Sequence, residues 1–216
     1  MNWQRARSDE KKNERKEAIY KAALTLFKKN GYEKVSFNGI ATEAGFTKSN
    51  MYRYFSSKEE VFLNIFADLF LLWKEDCAHR LQSLEQEANV KDFAEVWVES
   101  NLSHPQFLDL TPILFVSLEN NSSYEQLLEF KQLSATLLYQ LAADVSRVYP
   151  DLQGEKAFQF LTLSFAATST YWAAESQQND ALQRIYQLEA FQDMKPNFKK
   201  NLSNSVEIIL RGLQAK

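Results

Sequence analysis

The sequence has few of the residues that form turns. Its 216 residues include only five glycines and four prolines. Sheet-rich folds need many turns, so this scarcity favours long helices. Hydrophobic residues make up 45% of the chain, which excludes a disordered protein. The composition therefore predicts an all-α globular fold.

Residues that bind metals or act as nucleophiles are also scarce. The chain has one cysteine, Cys77, and two histidines, His79 and His104. A lone cysteine cannot form an internal disulfide, and it fits a reducing compartment. This set leaves little material for a zinc site or a nucleophile–base pair, and no glycine-rich phosphate loop is present. We therefore expect no enzymatic activity, no metal site and no cofactor.

Long apolar runs are missing as well. The longest is Leu69 to Trp73, against the roughly 20 residues that a membrane helix needs. The polar start, Met1 to Arg7, has no apolar core segment and is not a secretory signal. These features predict a soluble cytoplasmic protein that has no membrane partner.

The charge is divided unevenly along the chain. Residues 1–60 carry thirteen Lys or Arg and eight Asp or Glu, whereas the other 156 residues carry twelve and twenty. The first part therefore has a net charge of +5 and the rest a net charge of −8, which add up to the −3 of the whole chain. A basic head on an acidic body concentrates the attraction for phosphate at one end. Chance fluctuation is the alternative explanation.

Apolar periodicity divides the chain into helices. Met1 to Lys12 has no apolar period and is interpreted as a flexible arm, and residues 177–193 as a polar loop with room for one short helix. Pro105, Pro112, Pro150 and Pro196 mark breaks or kinks. We predict helices at about 9–30, 37–43, 47–53, 57–85, 91–103, 106–119, 123–148, 154–178 and 196–213.

Two short helices joined by a glycine-containing turn predict a helix-turn-helix. Ser36 and Thr47 can cap the two helices, and Gly45 tolerates the positive φ of a tight turn. Met51 and Phe55, four residues apart, should pack inward. The second helix would then project into a major groove roughly 12 Å wide. The side chains left on or near its exposed side are Lys48, Ser49, Asn50, Tyr52 and Arg53.

Those exposed side chains suit DNA. Lys48 and Arg53 can bind phosphate or guanine, and Asn50 can pair with adenine. Tyr52 and Tyr54 can donate to phosphate oxygens. Lys58 starts the fourth helix, within a Ser57-Lys58-Glu59-Glu60 capping box, where backbone N–H groups also favour an anion. A solvated helical hairpin with surface charge is the alternative.

These residues, taken in order, resemble the TetR family signature over about 45 residues. The resemblance implies an all-α protein with a three-helix DNA-binding head and a larger helical body that dimerises and binds ligands. It also implies a twofold homodimer that binds a near-palindromic operator in double-stranded DNA. The matching segments are Ala22-Ala23-x-x-Leu26-Phe27-x-x-x-Gly31-Tyr32-x-x-x-Ser36-x-x-x-Ile40-Ala41-x-x-Ala44-Gly45 and Thr47-Lys48-x-x-Met51-Tyr52-Arg53-Tyr54-Phe55-x-Ser57-Lys58-Glu59. By this resemblance, the usual DNA contacts fall on Ser36, Lys48, Asn50, Tyr52, Tyr54 and Lys58.

Two positions depart from the family pattern. Gly39 lies inside the second helix, where it costs about 1 kcal/mol relative to Ala unless it permits a close backbone approach. Asn50-Met51 stands where smaller or Leu-like residues are frequent, so base preference cannot be copied from relatives. The N-terminal arm can reach a minor groove or remain a solvated tail. Its basic residues are Arg5, Arg7, Lys11 and Lys12.

The body carries candidate dimer and ligand residues. The resemblance assigns the last two long helices to a four-helix dimer bundle, whereas core packing within one subunit is the alternative. That dimer set is Phe160, Phe165, Thr168, Phe198, Leu202, Val206, Ile209 and Leu213. Aromatic residues could enclose a small apolar or amphipathic effector, although such a stripe is also ordinary core. The ligand set is Phe70, Trp73, Trp97, Phe115, Tyr139 and Trp172.

These expectations combine into one functional hypothesis. Residues 1–56 would form the DNA-binding domain with its arm, and residues 57–216 the regulatory and dimerisation domain. The protein would be a repressor that a small molecule releases from its operator. The alternative is a TetR-like DNA-binding factor that responds to a protein partner or needs no small-molecule inducer.

Overall fold

Ten α-helices make up most of the chain. The computed structural model describes the backbone of residues 2–177 and 179–215, and the side chains of 11–177 and 179–215. That part of the chain contains no β-strand, so the all-α prediction is confirmed. The helices are α1 (Asn2–Asn30), α2 (Phe37–Glu43), α3 (Lys48–Met51), α4 (Lys58–Leu81), α5 (Val90–Leu102), α6 (Pro105–Leu110), α7 (Tyr124–Val148), α8 (Glu155–Glu175), α9 (Asp180–Ile185) and α10 (Phe198–Gln214).

Several helices begin where a side chain can satisfy the free backbone groups. Asn89, Asn179 and Asn197 cap α5, α9 and α10 with their side-chain oxygens. Gly31, with φ of +76°, follows α1 and ends it, because a left-handed residue cannot continue the helix. Such caps fix a helix end through residues that are close in sequence.

The structure differs from the prediction at the start of α1 and at the end of α3. The predicted flexible arm is helical from Asn2, since its Arg, Lys, Glu and Ala residues favour helix even without an apolar stripe. Helix α3 ends at Met51 rather than near Arg53, and Tyr52 follows as its C-terminal cap. The next turn is tighter, with Arg53 N donating to Asn50 O at 3.2 Å.

The single helix predicted at 106–119 is three short pieces. Helix α6 ends at Leu110, a 3₁₀ turn covers Thr111–Ile113, and a π-helical turn covers Leu114–Leu118. Pro112 has no backbone N–H to donate, which breaks the α-helical ladder at this point. The π turn closes with Glu119 N donating to Leu114 O at 2.9 Å.

The chain divides into two compact units. The first comprises Met1–Ala67 and Leu114–Phe130, and the second comprises Asp68–Ile113 and Lys131–Lys216. In the first unit, the apolar stripe of α1 packs around Phe62 of α4, whose ring centroid lies 5.8 Å from that of Phe27. In the second unit, α8 and α10 pack together, and α10 also packs on α5. None of the described helices is long and apolar enough to cross a membrane.

Candidate nucleic-acid interface

The turn between α2 and α3 is short and closed by backbone hydrogen bonds. Gly45 has φ of +73°, the left-handed conformation that side chains with a Cβ rarely adopt. Phe46 N donates to Ala41 O at 2.8 Å, and Gly45 N donates to Thr42 O at 3.1 Å. These bonds fix the direction in which α3 leaves α2, as a helix-turn-helix requires.

The inner face of this motif is apolar and fully packed. Ile40 and Met51 are completely buried, as is Ile19 of α1, and Phe55 is nearly so. The ring of Phe55 lies 5.9 Å from that of Tyr20. Because one side of α3 is held this way, its other side is presented to solvent in a fixed orientation.

Two predicted DNA contacts act as helix caps. Ser36 Oγ accepts from Gly39 N at 3.0 Å, and Thr47 Oγ1 accepts from Asn50 N at 3.3 Å. Both residues remain exposed. A hydroxyl that accepts a hydrogen bond still has its own proton to donate, so capping leaves each of them able to bind a phosphate oxygen.

The outward side of α3 carries the other predicted contacts. Lys48, Ser49, Asn50 and Arg53 are exposed, and Tyr52 is 55% exposed. The Tyr52 ring lies 5.1 Å from that of Phe37, which steadies its orientation. The structure thus brings five adjacent side chains, two of them cationic, onto one solvent-facing surface.

Tyr54 and Lys58 lie beside this surface but have partners within the protein. Arg15 donates to the Tyr54 hydroxyl at 3.2 Å, and this bond raises the pKa of the Arg15 guanidinium. Lys58 Nζ donates to Tyr32 O at 3.3 Å and lies 4.3 Å from the centroid of the Tyr32 ring. An ammonium has three donors, so Lys58 can still reach a phosphate while anchored at Tyr32.

Packing explains why position 39, inside α2, is a glycine. A Cβ at this position would lie 3.1 Å from Ser36 Oγ and 3.8 Å from Leu26 Cδ1. The first distance is tighter than an ordinary contact, and it involves the oxygen that caps the helix. The nearest atom is therefore the capping hydroxyl, a side-chain atom, and not the backbone that the sequence analysis proposed.

Glu60 makes hydrogen bonds beyond those of the predicted capping box. Ser57 Oγ accepts from Glu60 N at 3.1 Å, which is the expected half of the box. The Glu60 carboxylate, however, accepts from Ser56 N at 2.7 Å and from Ser123 N at 3.2 Å. Sequence reasoning missed this bond because Ser123 lies 63 residues away. Burial opposes the charge, but the hydrogen bonds from Ser123 and Ser56 outweigh it and hold the pKa of Glu60 below its usual value.

A second link joins α4 to the start of α7 within the same unit. Asn64 Nδ2 donates to Glu60 O at 2.9 Å and to Gln126 Oε1 at 2.6 Å. The ring of Phe66 lies 5.9 Å from that of Phe130. Together with Glu60, these contacts tie the helix that follows the DNA-binding motif to residues 123–130.

The basic arm is only partly described. Lys11 and Lys12 are exposed on α1. Arg5 and Arg7 lie outside the residues whose side chains the structure describes. The choice between minor-groove contact and a solvated position therefore stays a prediction.

Three predicted ligand residues form a closed aromatic core instead of lining a space. Trp73 lies 6.0 Å from Phe70 and 5.6 Å from Trp97, measured between ring centroids. Phe107 stacks on Trp73 at 5.1 Å, and Phe160 packs on Trp97 at 5.0 Å. Large rings buried this way fill the volume that a ligand would need. Trp73 Nε1 and Trp97 Nε1 are nevertheless buried without a hydrogen-bond partner among the described residues.

The other three ligand candidates are scattered. Phe115 is exposed in the π-helical turn of the first unit. Tyr139 is exposed on α7, with its ring 5.0 Å from that of Phe158. Trp172 Nε1 donates to Asp109 Oδ1 at 2.9 Å, and its ring lies 5.1 Å from that of Phe198. The sequence could not predict this, because aromatic content does not specify which rings face one another.

A cavity of about 430 Å³ lies elsewhere in the second unit. The hydroxyl of Tyr149 in its wall donates to Ala88 O at 3.0 Å, and burial raises the pKa of this tyrosine to about 12. The lining is mostly polar, unlike the apolar pocket that the sequence suggested. It consists of Glu87, Ala88, Asn89, Val90, Tyr149, Pro150, Asp151, Arg211 and Gln214.

Most predicted dimer residues are core residues of their own chain. The apolar stripe of α10 faces α8 and α5, so the structure assigns it to intramolecular packing, the alternative that the sequence left open. Phe165, Ile209 and Leu213 are half-buried. Leu163 of α8 and Ile208 of α10 are exposed apolar neighbours of these positions. The buried members are Phe160, Thr168, Phe198, Leu202 and Val206.

Known proteins match the chain in both parts. A family described as "Bacterial regulatory proteins, tetR family" matches residues 19–65, and "Tetracyclin repressor-like, C-terminal domain" matches residues 67–216. The chain is 41% identical to the uncharacterised HTH-type transcriptional regulator YfiR of Bacillus subtilis over 56 residues, 26% of this chain and 27% of that protein. It is 27% identical to the HTH-type transcriptional regulator RutR of Escherichia coli over 92 residues, 43% of each chain. These alignments therefore span less than half of either relative.

Solved structures extend the likeness to the whole fold. The fatty acid degradation regulator FadR of Bacillus halodurans superposes with a TM-score of 0.57 at 15% identity, covering 94% of this chain and 97% of that one. The transcriptional repressor FadR of Thermus thermophilus, solved in complex with lauroyl-CoA, gives 0.58 at 15% identity, covering 93% and 96%. Because the two family matches cover the helix-turn-helix and nearly all of the remaining chain, the protein belongs to the TetR family of helix-turn-helix transcriptional regulators.

Proposed function

We propose that this protein is a sequence-specific repressor that places α3 in the major groove of a near-palindromic operator. One observation carries this proposal. The side chains of Lys48, Ser49, Asn50, Tyr52 and Arg53 are exposed side by side while the opposite face of α3 is buried. Base edges in the major groove present the donors and acceptors that such side chains recognise.

Each side chain has a role that follows from its chemistry. Asn50 would form paired hydrogen bonds with an adenine, and Arg53 or Lys48 would bind guanine or phosphate. Ser36, Thr47, Tyr52 and Tyr54 would donate hydroxyl protons to phosphate oxygens, which positions the motif without reading sequence. Lys58 would add a phosphate contact from the start of α4.

The remaining chain would serve dimerisation and regulation. We place the division at residues 1–56 and 57–216, as the sequence indicated, with the boundary just before the Ser57 cap. The family match supports a homodimer built on α8 and α10. The positions available to a second copy are the exposed ones, Leu163 and Ile208 among them, rather than the buried stripe.

The proposal includes release of DNA by a small apolar or amphipathic effector. The FadR of Thermus thermophilus was solved with lauroyl-CoA, which makes an acyl-CoA the first compound to test. Two buried indole N–H groups without partners, those of Trp73 and Trp97, could bind an acceptor oxygen of such a ligand. The dimer would have two conformations that differ in the spacing of its two DNA-binding surfaces, and only one of them would fit the operator. An effector that binds the other conformation more tightly would shift the population away from the operator-bound form.

The second candidate function has the same fold but no small-molecule effector. The closed packing of Phe70, Trp73, Trp97 and Phe107 favours it, because a ligand would first have to separate these rings. A partner-controlled or constitutive DNA-binding factor would need no such opening.

Fluorescence anisotropy with a labelled duplex from upstream of the protein's own gene tests the proposal. A scrambled duplex is titrated at the same salt concentration. We expect a preference of about 10³-fold or more, as specific regulators show. Equal, weak binding to this duplex and to fragments from genome-wide site selection would refute the regulator. If lauroyl-CoA and a wider library neither stabilise the protein nor weaken operator binding, the second candidate holds.

A further inference from the structure

Arg15 lies where the packed face of α1 leaves the core of the first unit. An α-helix turns once every 3.6 residues, so residues four and seven apart lie on one face. Ile19 and Ala22, four and seven residues after Arg15, are buried. Arg15 itself is exposed, and so is Lys11, four residues before it. The face of α1 that is apolar in the core is therefore basic where it emerges from the core.

The Arg15 side chain reaches the residues that follow α3. Its Nη1 donates to the Tyr54 hydroxyl at 3.2 Å, a contact between residues 39 positions apart. The Tyr54 ring packs edge-on against that of Phe46, with 6.4 Å between the ring centroids. The ring is thus held by the turn of the helix-turn-helix, and the hydroxyl is held by α1.

The bond to Arg15 decides how the Tyr54 hydroxyl can be used. A guanidinium has five N–H donors and no acceptor, so the hydroxyl oxygen must accept in this bond. The hydroxyl proton is then left for a different partner. The structure shows no acceptor for it among the residues whose side chains are described. Tyr54 can therefore donate this proton to a group outside the protein.

Arg15 adds a positive charge that no carboxylate neutralises within the described part of the chain. Its hydrogen-bond partner there is the neutral Tyr54 phenol, and it forms no ion pair. The neighbouring acids, Glu14 and Glu17, lie about 100° or more around α1 from it. Arginine and phosphate form short, charge-assisted and often bidentate hydrogen bonds. Since the guanidinium and the hydroxyl are in contact, both can donate to the same phosphate group.

We propose that Arg15 and Tyr54 together bind one backbone phosphate of the operator, and that Arg15 orients the Tyr54 hydroxyl toward it. This inference rests on the proposed function, in which Tyr54 donates to a phosphate oxygen. It adds α1 to the DNA interface through a residue that precedes the segment resembling the family signature, which begins at Ala22. Because Arg15 is charged, its contact contributes to the salt dependence of binding, whereas the neutral Tyr54 does not.

Anisotropy titrations of full-length variants at several salt concentrations test the inference. The probe is the duplex that wild type prefers, from upstream of its own gene or from site selection. Arg15→Ala should weaken binding about 10-fold and flatten the salt dependence by about one unit for each bound subunit. Arg15→Lys should retain the salt dependence, because the charge is kept. Lys21→Ala, at an exposed cation about 120° around α1 from Arg15, is the matched control and should bind like wild type.

A double-mutant cycle tests whether the two side chains act together. Tyr54→Phe should weaken binding about 10-fold for each bound subunit and leave the salt dependence unchanged, because a phenol carries no charge. In the Arg15→Ala background the same substitution should cost less than about 3-fold, since the hydroxyl is no longer oriented. Wild-type affinity of Tyr54→Phe, or single effects that multiply to within about 2-fold, would overturn the shared contact.

Duplexes with one neutral phosphate identify the contact directly. A methylphosphonate is placed at each backbone position in turn, and wild type should lose affinity at the phosphate that the pair binds. Arg15→Ala and Tyr54→Phe should both become insensitive at this position, whereas Lys58→Ala should remain sensitive there. Loss of sensitivity at two different positions would overturn the inference.

The outcomes separate the inference from the proposed function. If wild type prefers its duplex and Arg15→Ala has the same affinity and salt dependence, the inference is overturned and the proposed function stands. If wild type binds all duplexes equally and weakly, the proposed function fails and the inference fails with it. A purely structural role of Arg15 would lower the midpoint of urea unfolding and leave the salt dependence unchanged, and that result would also overturn the inference.

Discussion

Replacing Glu60 with alanine should open the link between the start of α4 and residues 123–130. The Glu60 side chain is only 3% exposed, and its carboxylate accepts from Ser56 N at 2.7 Å and Ser123 N at 3.2 Å. A hydrogen bond to a charged group contributes about 1.5–3 kcal/mol. Ser56 is exposed and Ser123 half-buried, so water can replace part of both bonds. We therefore expect a loss of about 2–4 kcal/mol for the alanine variant.

Glu60→Gln should cost less, about 1–2 kcal/mol, because its amide keeps the shape and one acceptor oxygen. Glu125→Ala, at an exposed carboxylate on α7, is the matched control and should change stability little. The measurement is urea unfolding by circular dichroism, combined with hydrogen exchange of the Ser56 and Ser123 amides. Since 1.36 kcal/mol is a factor of ten, a loss of about 2 kcal/mol corresponds to roughly 30-fold faster exchange.

The same carboxylate predicts a pH dependence. Its pKa in the folded protein lies below the ordinary value of 4.5, because the hydrogen bonds outweigh burial. Its stabilisation is therefore complete above pH 4.5 and is lost as the pH falls through the folded-state pKa. The stability difference between wild type and Glu60→Gln should shrink over that acidic range. Wild-type exchange rates for both amides in Glu60→Ala would refute the assigned role of Glu60.

Four further predictions follow from individual side chains. Lys58→Ala should weaken binding to all duplexes and flatten the salt dependence by about one unit, as a lost phosphate contact does; Lys91→Ala, a body lysine, should leave both unchanged. Asn50→Ala should bind scrambled DNA like wild type but lose preference for the operator, and unchanged discrimination in anisotropy titrations would contradict its assignment. Gly45→Ala should lower stability by about 1–2 kcal/mol in urea unfolding, because the turn requires φ of +73°. Burial raises the pKa of the Cys77 thiol to about 12, so iodoacetamide at pH 8 should alkylate it only in denaturant, and reaction at the rate of a free thiol would argue against that burial.

Local signals made the DNA-binding motif predictable. Ser36, Gly45 and Thr47 each fix their own conformation through a bond or a φ value that involves residues at most four positions away. Such short-range requirements are readable from a single sequence. The outward row of α3 followed from them, because the buried positions Met51 and Phe55 define the opposite face.

Long-range packing was not predictable in the same way. The apolar stripe of α10 correctly predicted that these residues are buried. Such a stripe, however, does not indicate whether the surface that covers it belongs to the same chain or to a partner. Leu202 and Val206 proved to be intramolecular core. Likewise, the aromatic content of α4, α5 and α6 did not predict that the rings of Trp97 and Phe107 would both pack against Trp73.

The segment between α8 and α10 was predictable in part. The sequence predicts a polar loop with room for one short helix at residues 177–193, and α9 (Asp180–Ile185) is such a helix. The 3₁₀ helix over Glu189–Met194 is not predicted, because a search for periods of 3.6 or 2 residues does not detect a period of three.

The side chains of the proposed DNA contacts divide into those that maintain the fold and those that do not. Ser36 and Thr47 cap helices, and an alanine at either position would remove the cap and the proposed phosphate contact together. The side chains of Ser49, Asn50 and Arg53 are exposed, and none of them caps a helix in the described part of the chain. Substitutions at these three positions should therefore carry little stability penalty, and under the proposed function they should mainly change the binding preference. A library randomised at only these codons should yield well-folded variants with new operator preferences.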